Sequence, residues 1–340
     1  MDVETFAIDL SYFALTLTRS EDQPELKVQE MHMGAMTNQE IVIRVSYSSI
    51  NYKDQLMSKG NPGLVRRFPH VLGIDAVGSV VISHSTRFKV GDDVMVIATP
   101  LGQNIPGGLA EYVKVPLDWV MHVPRKMTLK HIASLGTAGY TAALAFLELE
   151  KSNIITKEGP VLITGACGGV GMTAASLLLA KGYEIEVVST STDLNDIYDG
   201  CKGASCLGYD DFIKQNSFPL LKPKYIGAIE NVGGRALSVA LRSMKESSKL
   251  CAVGMVVSEK IDVSIMPFIL RGIQLQGINA EISDDKTRHL VWDLISNQYF
   301  ALPISPSIRE CTLSEACEYM RGDNPLPGRG RVLVNVAGSN

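Results

Sequence analysis

The segment that most constrains this chain is Gly165-Ala166-Cys167-Gly168-Gly169-Val170-Gly171, which follows the apolar run Val161 to Thr164 and leads into Met172-Thr173-Ala174-Ala175. Glycines in this pattern let the backbone turn tightly from a strand into a helix, and no side chain keeps an approaching group away. The free N–H groups of such a helix start, with the positive end of its dipole, stabilise a pyrophosphate. Any α/β protein can hold a tight strand-to-helix turn, so the elements downstream of it decide the reading. A helix from Val170 to Lys181 is succeeded by Glu184 to Ser189, Tyr225 to Asn231, a helix from Arg235 to Ser243, Leu250 to Val253 and Ile273 to Ile278. That order predicts an α/β fold with a Rossmann doubly wound parallel sheet. It also predicts cofactor contacts at Cys167, Gly168, Gly169 and Val170.

The residues before this unit read differently. Ile41 to Tyr47, Gly78 to Ile82, Asp93 to Ala98 and Glu111 to Val115 are short β-type runs separated by turn signals such as Asn61-Pro62-Gly63 and Pro106-Gly107-Gly108. They predict a compact, mainly β unit. After Pro124, Leu129 to Leu149 has apolar residues at helical spacing. The tail returns to helices, Lys286 to Asn297 and one starting at Ser314, and ends in a strand, Arg331 to Val336. A closing strand is most simply explained if the tail rejoins the first unit. The expected division is therefore 1–124 with 282–340 as one discontinuous domain, and 125–281 as the dinucleotide-binding domain.

The 340 residues carry 32 Lys and Arg against 36 Asp and Glu, a net charge of −4, with no basic run to neutralise a phosphate backbone. No nucleic acid is expected as partner. Asp2, Glu4 and Asp9 stand where a signal peptide needs positive charge, and no apolar run is expected to reach the roughly 18 residues of a membrane span. The six cysteines form no Cys-x-x-Cys pair and read as reduced thiols. A cytoplasmic protein away from membranes is expected. An acid at the end of the second strand would bind the ribose 2′-hydroxyl of NAD and repel the 2′-phosphate of NADP. Here Ser189-Thr190-Ser191-Thr192 precedes the first acid, Asp193. Hydroxyls at Ser189, Thr190 and Ser191 favour NADP, although the loop has no arginine and plain loops also carry hydroxyls.

Asn51-Tyr52-Lys53-Asp54, Gly73-Ile74-Asp75-Ala76-Val77-Gly78, Gly107-Gly108-Leu109-Ala110-Glu111-Tyr112 and Gly136-Thr137-Ala138-Gly139-Tyr140-Thr141-Ala142 resemble the medium-chain dehydrogenase/reductase superfamily, in its quinone-oxidoreductase branch. The likeness runs almost end to end. Arg67-Phe68-Pro69, Met266-Pro267-Phe268-Ile269-Leu270-Arg271 and Gly328-Arg329 look most like the NADPH-dependent acryloyl-CoA reductases of the AcuI/YhdH type. The resemblance implies a GroES-like catalytic domain for the mainly β unit. It also implies hydride transfer to the β-carbon of an enoyl thioester, followed by protonation of the α-carbon.

The zinc-dependent relatives carry a catalytic cysteine, a Gly-His-Glu segment and a four-cysteine lobe. This chain has Asp54 and Gly73-Ile74-Asp75 and no cysteine before Cys167, so a soft-ligand zinc site is not expected in the first domain. Asp54 and Asp75 are read as satisfying backbone N–H groups in turns. The resemblance places Asn51 and Tyr52 beside the nicotinamide as the catalytic pair, with Tyr52 also a cofactor contact. They would supply donors to the thioester carbonyl; the phenol either gives the proton or positions the ring. Asn231, Gly254, Met255 and Arg329 complete the expected cofactor contacts, and Arg67 is expected on substrate phosphates. Cys167 is read as a backbone-contact position. The relatives carry arginine near Ser191, and its absence here leaves NADH open as a cofactor. Three activities are consistent with these residues: an enoyl-CoA reductase, a quinone or general enone reductase, and a non-catalytic dinucleotide-binding redox sensor. The run Ile273 to Ile278 corresponds to the edge strand that pairs across a two-fold axis in relatives, so a homodimer is expected.

Overall fold

The structure is a computed structural model that describes residues 3–20, 23–61, 63–103, 105–152, 158–299, 304, 307–323 and 329–338. Pro62 of the Asn61-Pro62-Gly63 turn and Gly328 of the Gly328-Arg329 pair lie outside the described residues. In chain order the elements are β1 (Thr5–Phe6), β2 (Leu10–Ser20), β3 (Gln23–Met33), β4 (Met36–Thr37), β5 (Glu40–Ile50), α1 (Tyr52–Ser58), β6 (His70–Val71), β7 (Ala76–Ser83), β8 (Asp93–Val96), β9 (Tyr112–Pro116), β10 (Met121–His122) and α2 (Leu129–Glu150). Next come β11 (Val161–Thr164), α3 (Gly169–Ala180), β12 (Ile185–Ser189), α4 (Leu194–Tyr198), β13 (Ala204–Gly208), α5 (Tyr209–Ile213), β14 (Tyr225–Glu230), α6 (Gly234–Arg242), β15 (Met244–Ala252), α7 (Met266–Arg271), β16 (Gln274–Gly277) and α8 (Asp285–Gln298). The chain closes with β17 (Ile308–Cys311), α9 (Leu313–Arg321) and β18 (Arg331–Asn335).

Two compact units result: Met1–Thr137 with Ile308–Pro327 and Arg331–Asn340, and Ala138–Ser307 with Gly328–Gly330. In the first, β5 is the spine. It pairs antiparallel with β7, β9 and β18, in a sheet ordered β10-β8-β7-β5-β18-β17. The inward residues of β5, Ile41, Ile43 and Val45, join Leu15, Val80, Val113 and Val334 in one core. A long hairpin of β2 and β3, with β6 added at its edge, forms a second sheet.

The second unit holds a parallel sheet ordered β13-β12-β11-β14-β15-β16, the Rossmann order with its switch between β11 and β14. Every residue of β11 and β14 is buried, as a sheet covered on both faces requires.

The divide falls at Thr137, not after Pro124, because the first segment of α2 is fastened to the first unit. Arg331 Nε donates to Ser134 O at 3.3 Å, and the Thr137 hydroxyl donates to Asp75 at 2.6 Å. Gly136 breaks α2 with φ 53° and ψ −156°, and a Cβ there would lie 2.4 Å from Asp75 Oδ2. Only glycine permits that approach. The tail also parts from its expected place. In α8, Val291, Trp292 and Ile295 are buried, Trp292 packs 6.2 Å from the Tyr140 ring, and Ile304 N–H donates to Ser176 at 2.9 Å, all inside the second unit.

The hydropathy expectation needs one correction. α2, with 22 residues, is long and apolar enough to cross a membrane. It is broken at Gly136 and mostly buried in the protein, so its apolar surface faces protein.

Candidate functional site

The phosphate-loop segment forms the expected turn at the switch point of the second unit. Gly168 caps α3 with no side-chain hydrogen bond, so the helix start offers backbone N–H groups alone. Gly171 packs so closely that a Cβ would lie 2.4 Å from Gly165 O, which presses α3 against the end of β11. Cys167 is buried, and its carbonyl accepts the Gly330 N–H at 2.8 Å. Gly169 and Val170 open α3.

Across the switch, Asn231 follows β14 and is held by β11. Its N–H donates to Thr164 Oγ1 at 2.9 Å and its Nδ2 to Thr164 O at 2.7 Å. Thr164 Oγ1 in turn donates to the buried Glu230 at 2.9 Å, whose carboxyl burial pushes upward in pKa while the N–H groups of Gly233 and Val232 pull it back. Asn231 Oδ1 is buried with no partner among the described residues. A buried acceptor without a donor costs about 1–3 kcal/mol, and a ribose hydroxyl or carboxamide at this spot would relieve it. The uncapped helix start and this acceptor therefore fit a dinucleotide. Gly254 packs onto Asn231, and Met255 beside it is 50% exposed.

At the end of β12, Ser189 Oγ accepts the Ser191 N–H at 3.1 Å and Ser191 Oγ accepts the Asp193 N–H at 3.3 Å. Thr190 is exposed. Arg329, distant in sequence, lies here too: its Nη1 is 3.3 Å from Asp193 Oδ2. The sequence located both residues but not their pairing, since nothing local links positions so far apart.

Asn51, Tyr52 and Arg67 belong to the first unit. Tyr52 opens α1 and is 39% exposed; Arg67 is exposed. Asn51 is the N-cap and is almost wholly buried. Its Nδ2 donates to Asp75 Oδ2 at 2.8 Å and Ser49 O at 3.2 Å, while its Oδ1 accepts from Arg331 Nη1 at 3.0 Å. Both amide protons are thus spent within the unit, and the expected donor to a thioester carbonyl is not available from Asn51 in this geometry. Asn51 instead fixes the start of the helix that carries Tyr52.

Beneath it, Asp75 also accepts from the Ser49 hydroxyl at 2.6 Å and the Thr137 N–H at 3.0 Å, with Arg331 Nη2 3.8 Å away. Asp54 accepts the N–H groups of Asn51 at 2.8 Å and Ile74 at 3.1 Å, the turn-satisfying role expected of it. Burial pushes its carboxyl up to about 7; the Asn51 N–H opposes this, and the charge of Asp75 adds to it. The roles of Ser49, Thr137 and Arg331 left no signal in the sequence, because their partners are set by the tertiary fold.

Residues 37–125 match the alcohol dehydrogenase GroES-like domain family. The putative quinone oxidoreductase YhfP of Bacillus subtilis is 34% identical over 95% of this chain and 98% of its own, and its structure with NAD bound matches with a TM-score of 0.86 over 96% of this chain and 100% of that one. The probable acrylyl-CoA reductase AcuI of Escherichia coli is 32% identical over 95% of this chain and 99% of its own. The YhdH oxidoreductase of Salmonella enterica, solved in complex with NADP, is 31% identical with a TM-score of 0.86, covering 95% of this chain and 99% of that one. With its Rossmann sheet order, its GroES-like sheet and relatives that span it from end to end, the chain belongs to the medium-chain dehydrogenase/reductase superfamily of oxidoreductases, in the quinone-oxidoreductase branch with the AcuI/YhdH type.

Proposed function

We propose that this protein reduces an activated C=C bond with NADPH, and that its substrate is a short 2-enoyl-CoA such as acryloyl-CoA. The observation that carries the cofactor reading is the buried, unpartnered Asn231 Oδ1 across the switch point from the uncapped start of α3. The substrate reading rests on the likeness to AcuI over nearly the whole chain. When bound, NADPH supplies the hydride that goes to the β-carbon. The backbone N–H groups of Gly169 and Val170 hold the pyrophosphate, with Cys167 and Gly168 lending backbone contacts. Ser189, Thr190, Ser191 and Arg329 receive the adenine ribose and its 2′-phosphate, and Gly254 and Met255 border the bound dinucleotide.

In this reading Tyr52 is the catalytic residue, which the likeness to AcuI supports, and Asn51 is the positioning residue that fixes it. Arg67 takes a phosphate of coenzyme A. The reading includes no metal: the carboxylates of Asp54 and Asp75 already accept N–H and O–H donors, and a guanidinium lies beside Asp75. Six free thiols support a reducing, cytosolic setting. A homodimer through the β16 edge completes the reading. A quinone or general enone as substrate is the second reading, favoured by the likeness to YhfP.

The test is loss of reduced-nicotinamide absorbance with acryloyl-CoA, beside parallel reactions with NADH and with 1,4-benzoquinone. Turnover that prefers NADPH and the thioester supports the first reading. Quinone turnover alone selects the second, and binding without turnover overturns both in favour of a redox sensor.

A further inference from the structure

We propose that Asp193 sets how strongly the cofactor site distinguishes a 2′-phosphorylated from a plain adenine ribose, by holding Arg329 until a 2′-phosphate takes the guanidinium from it. This rests on the dinucleotide reading of the phosphate loop. The two side chains lie 3.3 Å apart and each is 44% exposed.

Both are held in place from the phosphate loop. Gly330, next to Arg329, donates its N–H to Cys167 O at 2.8 Å and bridges to Gly168. On the other side, Tyr198 donates its hydroxyl to Ala166 O at 2.8 Å, and Leu194 and Tyr198 are buried, which fixes the short helix that Asp193 precedes. The Asp193 N–H is tied to Ser191 Oγ. The pair therefore stands at the end of β12, where a Rossmann sheet receives the adenine ribose.

A carboxylate at that place accepts ribose hydroxyls and repels phosphate, whereas a guanidinium binds phosphate through paired N–H donors. This chain has both, and they neutralise each other. An ion pair so exposed is weak, so a dianionic phosphate can displace the carboxylate, which turns to water. The displaced charge still opposes the phosphate at short range. The pair thus lets the site take either dinucleotide with restrained discrimination, and it supplies from the far end of the chain the cation that the serine–threonine loop lacks.

The experiment is calorimetric titration of the full chain with 2′,5′-ADP and 5′-AMP, alongside NADPH and NADH. Removing one like charge near the phosphate at a water-exposed site should tighten binding about fivefold. Asp193→Asn, and Asp193→Ser as a second variant, are expected to bind 2′,5′-ADP that much more tightly and 5′-AMP no more tightly than the wild type. Arg329→Gln should weaken 2′,5′-ADP by about tenfold or more, and adding Asp193→Asn to it should recover about fivefold, because the carboxylate left unpaired still repels the phosphate. If the Asp193 variants leave the ratio of the two affinities unchanged, or move both ligands equally, Asp193 is only a turn residue and the inference fails while the cofactor reading stands. If the wild type binds neither NADPH nor NADH, the cofactor reading itself fails and takes this inference with it.

Discussion

Asp54 is a carboxyl group without solvent, accepting N–H groups from Asn51 and Ile74 and lying within range of the charge on Asp75. Its folded pKa is about 7, against about 3.9 for an unfolded aspartate. Between these values the folded chain keeps a proton that the unfolded chain has lost, so unfolding free energy falls as pH rises through the window. The slope contributed is at most about 1.4 kcal/mol per pH unit. Urea titrations at a series of pH values should show this decline in the wild type and its loss in Asp54→Asn. The slope is the readout, because the amide of the variant would face an N–H donor and lower stability at every pH. An unchanged slope in the variant would mean that some other group carries the proton.

The sequence identified Asp54 and Asp75 as N–H acceptors from their turn-rich surroundings. It was silent on Arg331, whose bonds to Ser49, Ile50, Asn51 and Ser134 cross most of the chain. It also overstated Asn51, since the motif shows which residue is present but not that both amide protons are already taken.

At the level of elements, the phosphate loop separates two kinds of glycine. Gly171 has no room: a methyl would lie 2.4 Å from Gly165 O and 2.7 Å from Ala166 Cα. Gly168 has an ordinary φ of −83°, and a methyl there meets only Gly165 O at 3.4 Å. Gly171→Ala should therefore cost stability, about 2 kcal/mol by the measure of overpacked sites. Gly168→Ala should unfold as the wild type does yet bind NADPH about tenfold more weakly, because the methyl narrows the approach to the start of α3. Thermal unfolding and nucleotide titration on both variants separate the effects. Full affinity in Gly168→Ala would show that no ligand approaches the backbone there.

The strands of the parallel sheet were readable because β11 and β14 are buried on both faces and need continuous apolar runs. β13, Ala-Ser-Cys-Leu-Gly, has weak strand formers and takes its form from pairing with β12. The β2–β3 hairpin escaped for another reason: its pairing joins two long, largely polar-edged segments through a register no local turn motif announced. The junction at Gly136 was hidden inside one continuous helical pattern.

At the scale of the whole molecule, the sheet of the second unit ends in β16, which pairs on one side with β15 and is exposed throughout. An open edge strand is a template for another strand. On β16 itself Leu275 is 39% exposed, and the preceding segment and α7 expose Ile265 (63%), Ile269 (71%) and Leu270 (58%). A second copy of the chain related by a two-fold axis would pair β16 with its own counterpart and cover these side chains on both protomers at once. Light scattering at micromolar concentration should therefore give twice the chain mass of 36.9 kDa. Combining Ile269→Glu with Leu275→Glu should halve that mass and leave the circular dichroism spectrum unchanged, since both positions are exposed within one chain. A wild-type monomer would refute the pairing. A variant that stays dimeric would put the interface on another face, leaving the exposed edge of β16 without a partner.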